Sequence, residues 1–92
     1  MQITQVRIHK TDLVGKLKAI VSVTLDDEVV IHDIRLVEGV SGLFIAMPSR
    51  KLGAGGFKDI IHPVSSDVRK RFEEAVISRY YEVLEHEALE NK

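Results

Sequence analysis

The side chains of this 92-residue chain that could act as metal ligands or as general acids and bases are above all its histidines. They stand far apart and show neither the HxxxH nor the HExxH spacing of a zinc-binding helix. His32 and His62 accompany Asp33 and Asp59 in strand-like contexts. For these two we favour a hydrogen-bonded structural imidazole over half of a general acid–base pair, because buried polar groups normally find partners. The histidines are His9, His32, His62 and His86.

The serines and glycines form no catalytic or nucleotide-binding motif. Ser41, Ser49, Ser65 and Ser66 lie in neither a GxSxG nor an SxxK pattern, and turns and helix caps explain them better. The GAGG segment lacks both the Lys-Ser/Thr of a P-loop and the GxGxxG spacing of a dinucleotide site. Cysteine is absent, which excludes a thiol nucleophile and a thiolate metal site. The sequence therefore predicts no enzyme, no metal, no cofactor and no small-molecule substrate.

The charge order along the C-terminal segment is unusual for a helix. Arg69, Lys70 and Arg71 occupy its first turns, whereas four glutamates occupy its end. The helix dipole favours the opposite order by about 0.3–1 kcal/mol per charge. Basic side chains beside the free amides of a helix start suit a phosphate group. The alternative is a solvated face, in which (i, i+4) pairs such as Arg69 with Glu73 recover a few tenths of a kcal/mol. The glutamates are Glu82, Glu85, Glu87 and Glu90.

A second basic group surrounds the glycine-rich stretch 49–56. The strand that ends at Pro63 brings this group toward the helix start, so that the two groups would form one patch for a polyanion. The alternative is an arrangement at a sheet edge that separates the two groups. The net charge is −1, but residues 1–63 carry eight basic against seven acidic side chains and residues 64–92 five against seven. The acidic excess thus belongs to the tail. The predicted nucleic-acid-binding residues are Arg50, Lys51, Lys58, Arg69, Lys70 and Arg71, with contacts mainly to phosphate.

Alternating hydrophobicity predicts the strands that would carry these residues. The clearest strand has apolar residues at every odd position from 17 to 25. In the first strand we expect Thr4, Val6 and Ile8 on one face. The third strand, residues 29–37, has apolar residues at both odd and even positions, which predicts a central strand with both faces at least partly covered. We expect a mobile loop over residues 49–56. The five predicted strands cover residues 3–9, 16–25, 29–37, 43–47 and 57–62, within a strand region of about residues 2–62.

A helix over about residues 67–88 follows, with Ser65, Ser66 and Asp67 available as caps and a short acidic tail after it. One helix on an antiparallel sheet gives an α+β domain of ββββα type, and we expect residues 1–92 to form a single domain. Unpaired sheet edges and a small core predict a two-fold homodimer. The lack of cysteine, of a long apolar run and of a signal peptide predicts a cytoplasmic protein with no membrane span.

Two segments, HDIRLVEGVSGLFIAMPSRK and FKDIIHPVSSDVRKRFEEAV, resemble the SpoVG family of bacterial septation and sporulation regulators. The resemblance extends from about Thr4 to Tyr81 and includes AIVSVTLDDEVVIHDIR, GLFIAMPS and the His62-Pro63 pair. It implies a small dimeric protein with a sheet and a C-terminal helix. It also implies binding of DNA and RNA and an influence on septum formation, sporulation and gene expression. The segment LGAGG departs from the family, where this loop more often contains Thr, Pro and a charged residue.

Two functions therefore compete. The first is a regulator that binds DNA or RNA through the basic residues named above. The second is a protein-interaction module of the division machinery, without direct nucleic-acid binding, which would use the sheet edges and the acidic helix end.

Overall fold

The computed structural model describes residues 1–11 and 13–90, with side chains up to residue 87, and within this part six strands precede one long helix. Four strands form an antiparallel sheet in the order β1-β2-β3-β4, and the last two form a separate two-stranded ribbon. The α+β class with a C-terminal helix is thus confirmed. The elements are β1 (Ile3–Lys10), β2 (Leu17–Leu25), β3 (Val29–Gly39), β4 (Gly42–Ala46), β5 (Ser49–Lys51), β6 (Phe57–Asp59) and α1 (Ser66–Glu90).

The hydrophobic core lies between α1 and one face of the four-stranded sheet. The odd residues of β2 from Ala19 to Leu25 point into it, because side chains alternate across a strand. Helix residues four apart supply the other half, since they share one face of a helix. Ser22 and Thr24 of β2 therefore lie on the face turned away from α1, which we call the open face, whereas Lys18, at a register shift, lines a hollow with Tyr80 of α1. The core residues are Ala19, Val21, Val23, Leu25, Ile31, Ile34, Leu36, Ile45, Met47, Phe72, Val76 and Tyr80.

Strand β3 is central, as predicted, but its two faces are not covered by its two sets of apolar residues. An odd and an even residue would normally point to opposite faces, but Ile31 and Ile34 both point into the core. The register shifts between them, and Asp33 takes a left-handed conformation with φ of 62°. A β-bulge of this kind inserts one residue and exchanges the parity of the strand. Val29 and Val30, before the bulge, are exposed.

A second irregularity corrects the face assigned to Thr4. The register of β1 against β2 shifts between Ile3 and Gln5, and Ile3, Val6 and Ile8 pack against the core while Thr4 is exposed. The Thr4 hydroxyl instead accepts a hydrogen bond of 3.0 Å from the Asp27 backbone N–H. This contact ties β1 to the turn that joins β2 and β3.

The ribbon corrects the prediction of a fifth strand in the main sheet. Residues 57–59 pair with residues 49–51, which sequence analysis assigned to a loop. The backbone N–H of Ile60 donates to the Pro48 carbonyl at 2.8 Å and closes the base of the ribbon. Gly55 and Gly56, at φ of 97° and 81°, form its turn, a conformation that favours glycine.

The helix begins close to its predicted start. The Ser65 hydroxyl accepts the Val68 N–H at 3.3 Å and the Ser65 carbonyl accepts the Arg69 N–H at 3.1 Å, which makes Ser65 the N-cap. The helix extends to Glu90, so the predicted tail after residue 88 is helical at first, while residues 91 and 92 lie outside the described residues. Within the described part of the chain, no helix is long and apolar enough to cross a membrane.

Candidate nucleic-acid interface

Three of the predicted binding residues lie on the β5–β6 ribbon. Arg50 is directly opposite Lys58, and Lys51 is opposite Phe57. All four side chains are exposed, and Phe57 retains 73% of its surface. Like charges placed directly across two strands destabilise a sheet. The ribbon is only three residue pairs long, so it has few other contacts to offset this repulsion.

Among the side chains that the structure describes, no carboxylate forms an ion pair with the cations of the ribbon. The ion pairs among the described residues join Lys18 to Glu38, Arg69 to Glu73 and Arg79 to Glu82. Arg50, Lys51 and Lys58 are in none of them. A two-stranded ribbon of this kind has the width that the major groove of B-DNA accepts. The ribbon is therefore a projecting cationic element suited to an external polyanion.

The basic cluster at the start of α1 divides into two kinds of residue. Arg69 points back to the sheet, where its Nη2 donates to the Ile45 carbonyl and its Nε lies 3.9 Å from Glu73 Oε2. Glu73 Oε2 in turn accepts the Ile45 N–H at 3.1 Å. Lys70 and Arg71 are exposed, and no ion pair involves them among the described side chains. Arg69 and Glu73 thus satisfy the outward backbone groups of Ile45 on the edge of β4, whereas Lys70 and Arg71 face solvent.

The two basic groups lie at the same end of the sheet. Met47, just after β4, lines one hollow with Pro48 and Ile60 at the base of the ribbon. It also lines a second hollow with Val68 and Phe72 in the first turns of α1. The ribbon and the helix start therefore both border Met47, and a single patch formed by their basic side chains stays a prediction.

The acidic end of α1 lies at the opposite end of the helix. The Thr11 hydroxyl, just after β1, donates to Glu87 Oε1 at 3.2 Å. A helix of 25 residues is roughly 37 Å long. The glutamates at its C-terminal end are therefore too far from the ribbon to neutralise it, given a Debye length of about 8 Å at physiological salt.

A polar cluster on the open face was not predicted from the sequence. The Ser22 hydroxyl lies 2.7 Å from His9 Nε2 and 3.0 Å from His32 Nδ1. Ser22 is buried while both histidines are exposed. His32 is hydrogen-bonded as expected, to Ser22, although its ring is exposed and not buried. His62 is also exposed and lies after β6, outside a strand. His9, Ser22 and His32 come from three different strands, and only the pairing of β1 with β2 and of β2 with β3 brings them together. No local sequence motif joins them.

The comparisons with known proteins agree on one family. The SpoVG family profile matches residues 1–82. A relative from Alkaliphilus metalliredigens (strain QYMF) is 56% identical over 80 residues, which cover 87% of this chain and 82% of the relative. One from Thermoanaerobacter pseudethanolicus is 54% identical over 88 residues, or 96% of each chain. One from Clostridium novyi (strain NT) is 53% identical over 92 residues, all of this chain and 91% of the relative. Each is named "Putative septation protein SpoVG", a name that states no catalytic activity.

The fold and the site together define a small α+β domain with an exposed two-stranded ribbon that carries Arg50, Lys51 and Lys58. The matches are long and cover most of each relative. The chain belongs to the SpoVG family, and the resemblance drawn from the sequence is confirmed.

Proposed function

We propose that this protein is a cytoplasmic nucleic-acid-binding regulator that influences septum formation, sporulation or gene expression in bacteria. It binds DNA or RNA mainly through phosphates, with the β5–β6 ribbon as the principal contact and the start of α1 beside it. The septation role rests on the names of its relatives. The binding role rests on the described side chains.

The observation that carries the binding role is the unpaired cationic ribbon. Arg50 and Lys58 repel each other across a ribbon with little else to stabilise it. A bound phosphate would convert this repulsion into two charge-assisted hydrogen bonds. Lys51, Lys70 and Arg71 add charge at the same end of the molecule. Arg69 was predicted with this set, and its contacts with Ile45 and Glu73 favour a role in holding the helix start.

The test is charge removal with the fold preserved. Arg50, Lys51 and Lys58 are changed to Gln together, and binding of a labelled DNA duplex and a labelled RNA is followed by fluorescence anisotropy at several salt concentrations. We expect weaker binding to all sequences and a fall in the slope of log K against log[salt] of about 0.9 per lost contact on duplex DNA. A second variant changes Lys70 and Arg71 to Gln.

The matched control removes three cations away from the ribbon and the open face, Lys16, Lys18 and Arg79, with the same change in net charge. Circular dichroism confirms the fold of each variant. The proposal fails if the ribbon variant binds as the native protein does, or if the control weakens binding as much.

We further propose that the protein is a homodimer joined through the free edge of β1. In the described part of the chain, β1 pairs only with β2, so eight residues leave one row of backbone groups unpaired, a template for another strand. The edge of β4 is less accessible, because Arg69 and Glu73 occupy the backbone groups of Ile45. Sedimentation equilibrium tests this, and a monomer at micromolar concentration would contradict it.

The free β1 edge and the acidic end of α1 also favour the second candidate, a protein-interaction module of the division machinery. Strand addition at β1 and a basic partner at Glu82, Glu85 and Glu87 would use these surfaces. If no variant and no native protein binds nucleic acid at low salt, this function takes precedence.

A further inference from the structure

The open face of the sheet is not packed against α1, and the base of the ribbon borders it at one end, where Pro48 and Ile60 line a hollow with Arg35. Helix α1 packs against the face that carries Val21, Ile34 and Ile45, and the side chains that alternate with these point the other way. The open face of β2 and β3 is only half apolar, with Ile20 and Val37 half-buried. A face of this kind either contacts a partner or binds a ligand that is itself partly polar.

The charge on the open face is positive. Arg7 projects from β1 opposite Ser22, and Arg35 projects from β3 opposite Ile20. Both are exposed, and neither takes part in an ion pair among the described residues. The four strands contain only two carboxylates, Asp33 at the bulge and Glu38. The latter is 3.2 Å from Lys18 Nζ.

Two imidazoles lie between these arginines in a fixed arrangement. His9 and His32 share the buried hydroxyl of Ser22, so each ring has one nitrogen engaged. The other nitrogen of each ring has no protein partner among the described residues. The rings therefore form an oriented polar surface between Arg7 and Arg35.

An aromatic ring completes this surface. Phe44 lies on β4 next to Ile45, on the open side, and retains 40% of its surface. Its ring lies over Gly39, where an added Cβ would be 2.8 Å from Phe44 Cε1 and 3.0 Å from Cδ1. The missing side chain at Gly39 thus allows the ring to lie close to the sheet. With strands about 4.8 Å apart and about 3.4 Å per residue, Arg35 lies about 8 Å from Phe44 and about 12 Å from Arg7, and the three residues span about 20 Å.

We propose that the open face of the β1–β4 sheet binds single-stranded nucleic acid, with an unpaired base stacked on Phe44 and phosphates held by Arg7 and Arg35. This inference rests on the proposed nucleic-acid function and adds a second surface to it. Single strands suit this face because their bases are free to stack on aromatic side chains, whereas a duplex hides them. The ribbon contributes phosphate contacts to either form of nucleic acid, and the open face adds stacking that only a loop or separated strand can use.

The experiment compares oligo(U) and oligo(dT) of about 12 nucleotides, within the site sizes of known single-strand binders, with a DNA duplex. Phe44→Leu keeps an apolar contact over Gly39 and removes the aromatic plane. We expect it to weaken single-strand binding by about 5-fold to about 100-fold and to leave duplex binding unchanged. The matched control is Tyr81→Leu, which removes an exposed aromatic ring on α1.

Two further variants separate stacking from charge. Gly39→Ala keeps Phe44 but displaces its ring, so it should weaken single-strand binding in the same direction. Changing Arg7 and Arg35 to Gln should reduce the single-strand salt slope by about 1.4, or about 0.7 per contact, and the control changes Lys16 and Arg79. A cross-link from a 5-iodouracil oligonucleotide should map to residues 42–47.

The outcomes distinguish this inference from the proposed function. Equal single-strand binding by Phe44→Leu and Tyr81→Leu overturns the inference, while duplex binding that still depends on the ribbon leaves the proposed function intact. A Phe44→Leu protein that changes its oligomeric state and keeps its single-strand affinity shows that the open face contacts a second copy, which also overturns it. If native protein binds neither probe, both proposals fail.

Discussion

Arg69 and Arg71 are two residues apart in the same cluster, and the structure predicts opposite effects on stability when each is changed to Gln. Arg69 donates to the Ile45 carbonyl and lies beside Glu73. Arg71 is exposed, and no hydrogen bond or ion pair involves it among the described side chains. Both oppose the helix dipole. Removing either charge relieves an unfavourable interaction with the helix dipole. Only for Arg69 does the loss of contacts outweigh this gain in stability.

The expected magnitudes follow from these contacts. A hydrogen bond to a charged donor contributes about 1.5–3 kcal/mol, and an exposed ion pair about 0.2–1 kcal/mol. The Arg69 side chain is 40% exposed, so solvent screening reduces both. We expect Arg69→Gln to lower the free energy of unfolding by about 1–2 kcal/mol. Arg71→Gln should be neutral or raise it by a few tenths, because the dipole effect fades beyond the first turn.

Urea denaturation measures both effects. With a slope of about 1–3 kcal/mol per molar for a small protein, Arg69→Gln should lower the midpoint by roughly 1 M with an unchanged slope. Arg69→Lys keeps the charge without the planar guanidinium and should recover only part of the loss. A double-mutant cycle with Glu73→Gln should show coupling between the two residues. Equal midpoints for Arg69→Gln and Arg71→Gln would refute the role assigned to Arg69.

Two other substitutions test the core and the open face. Phe72 is 4% exposed, so Phe72→Ala should lower the free energy of unfolding by about 3–5 kcal/mol. Tyr81→Ala, at an exposed position, should have a small effect. An unchanged urea midpoint for Phe72→Ala would mean that the helix face is misassigned. Ser22→Ala removes the hydroxyl that both imidazoles share and should lower the free energy of unfolding by about 1–2 kcal/mol. Ser78→Ala, at an exposed helix position, should change it by less than about 0.5 kcal/mol, and equal effects of the two serine changes would contradict the role of Ser22.

The helix, its cap and the regular strands could be predicted from the sequence because their signals are local. The apolar residues of α1 recur every three to four positions, and Ser65 stands directly before them. The odd residues of β2 alternate without interruption, and all from Ala19 to Leu25 are buried. Backbone hydrogen bonding within a helix and side-chain alternation along a strand depend on neighbours in the chain, so the sequence contains them directly.

The bulges and the ribbon depended on tertiary structure. The apolar pattern of β3 fits a strand that is covered on both faces and also a strand with a bulge at Asp33. Only the pairing with β2 decides between these two structures. Residues 49–51 and 57–59 are too short and too polar to show a period, and their pairing depends on the turn at Gly55 and Gly56.

The partners of individual side chains were decided in the same way. Arg69 is 24 positions from Ile45, and Ser22 is 13 from His9 and 10 from His32. The sequence indicated that Arg69 carries a charge in a basic cluster, but not that a strand edge lies within reach of it. The sequence thus determined the helix, the four strands of the main sheet and which residues are charged. Only the packing of α1 across the sheet decided which charges are satisfied inside the protein and which remain for a ligand.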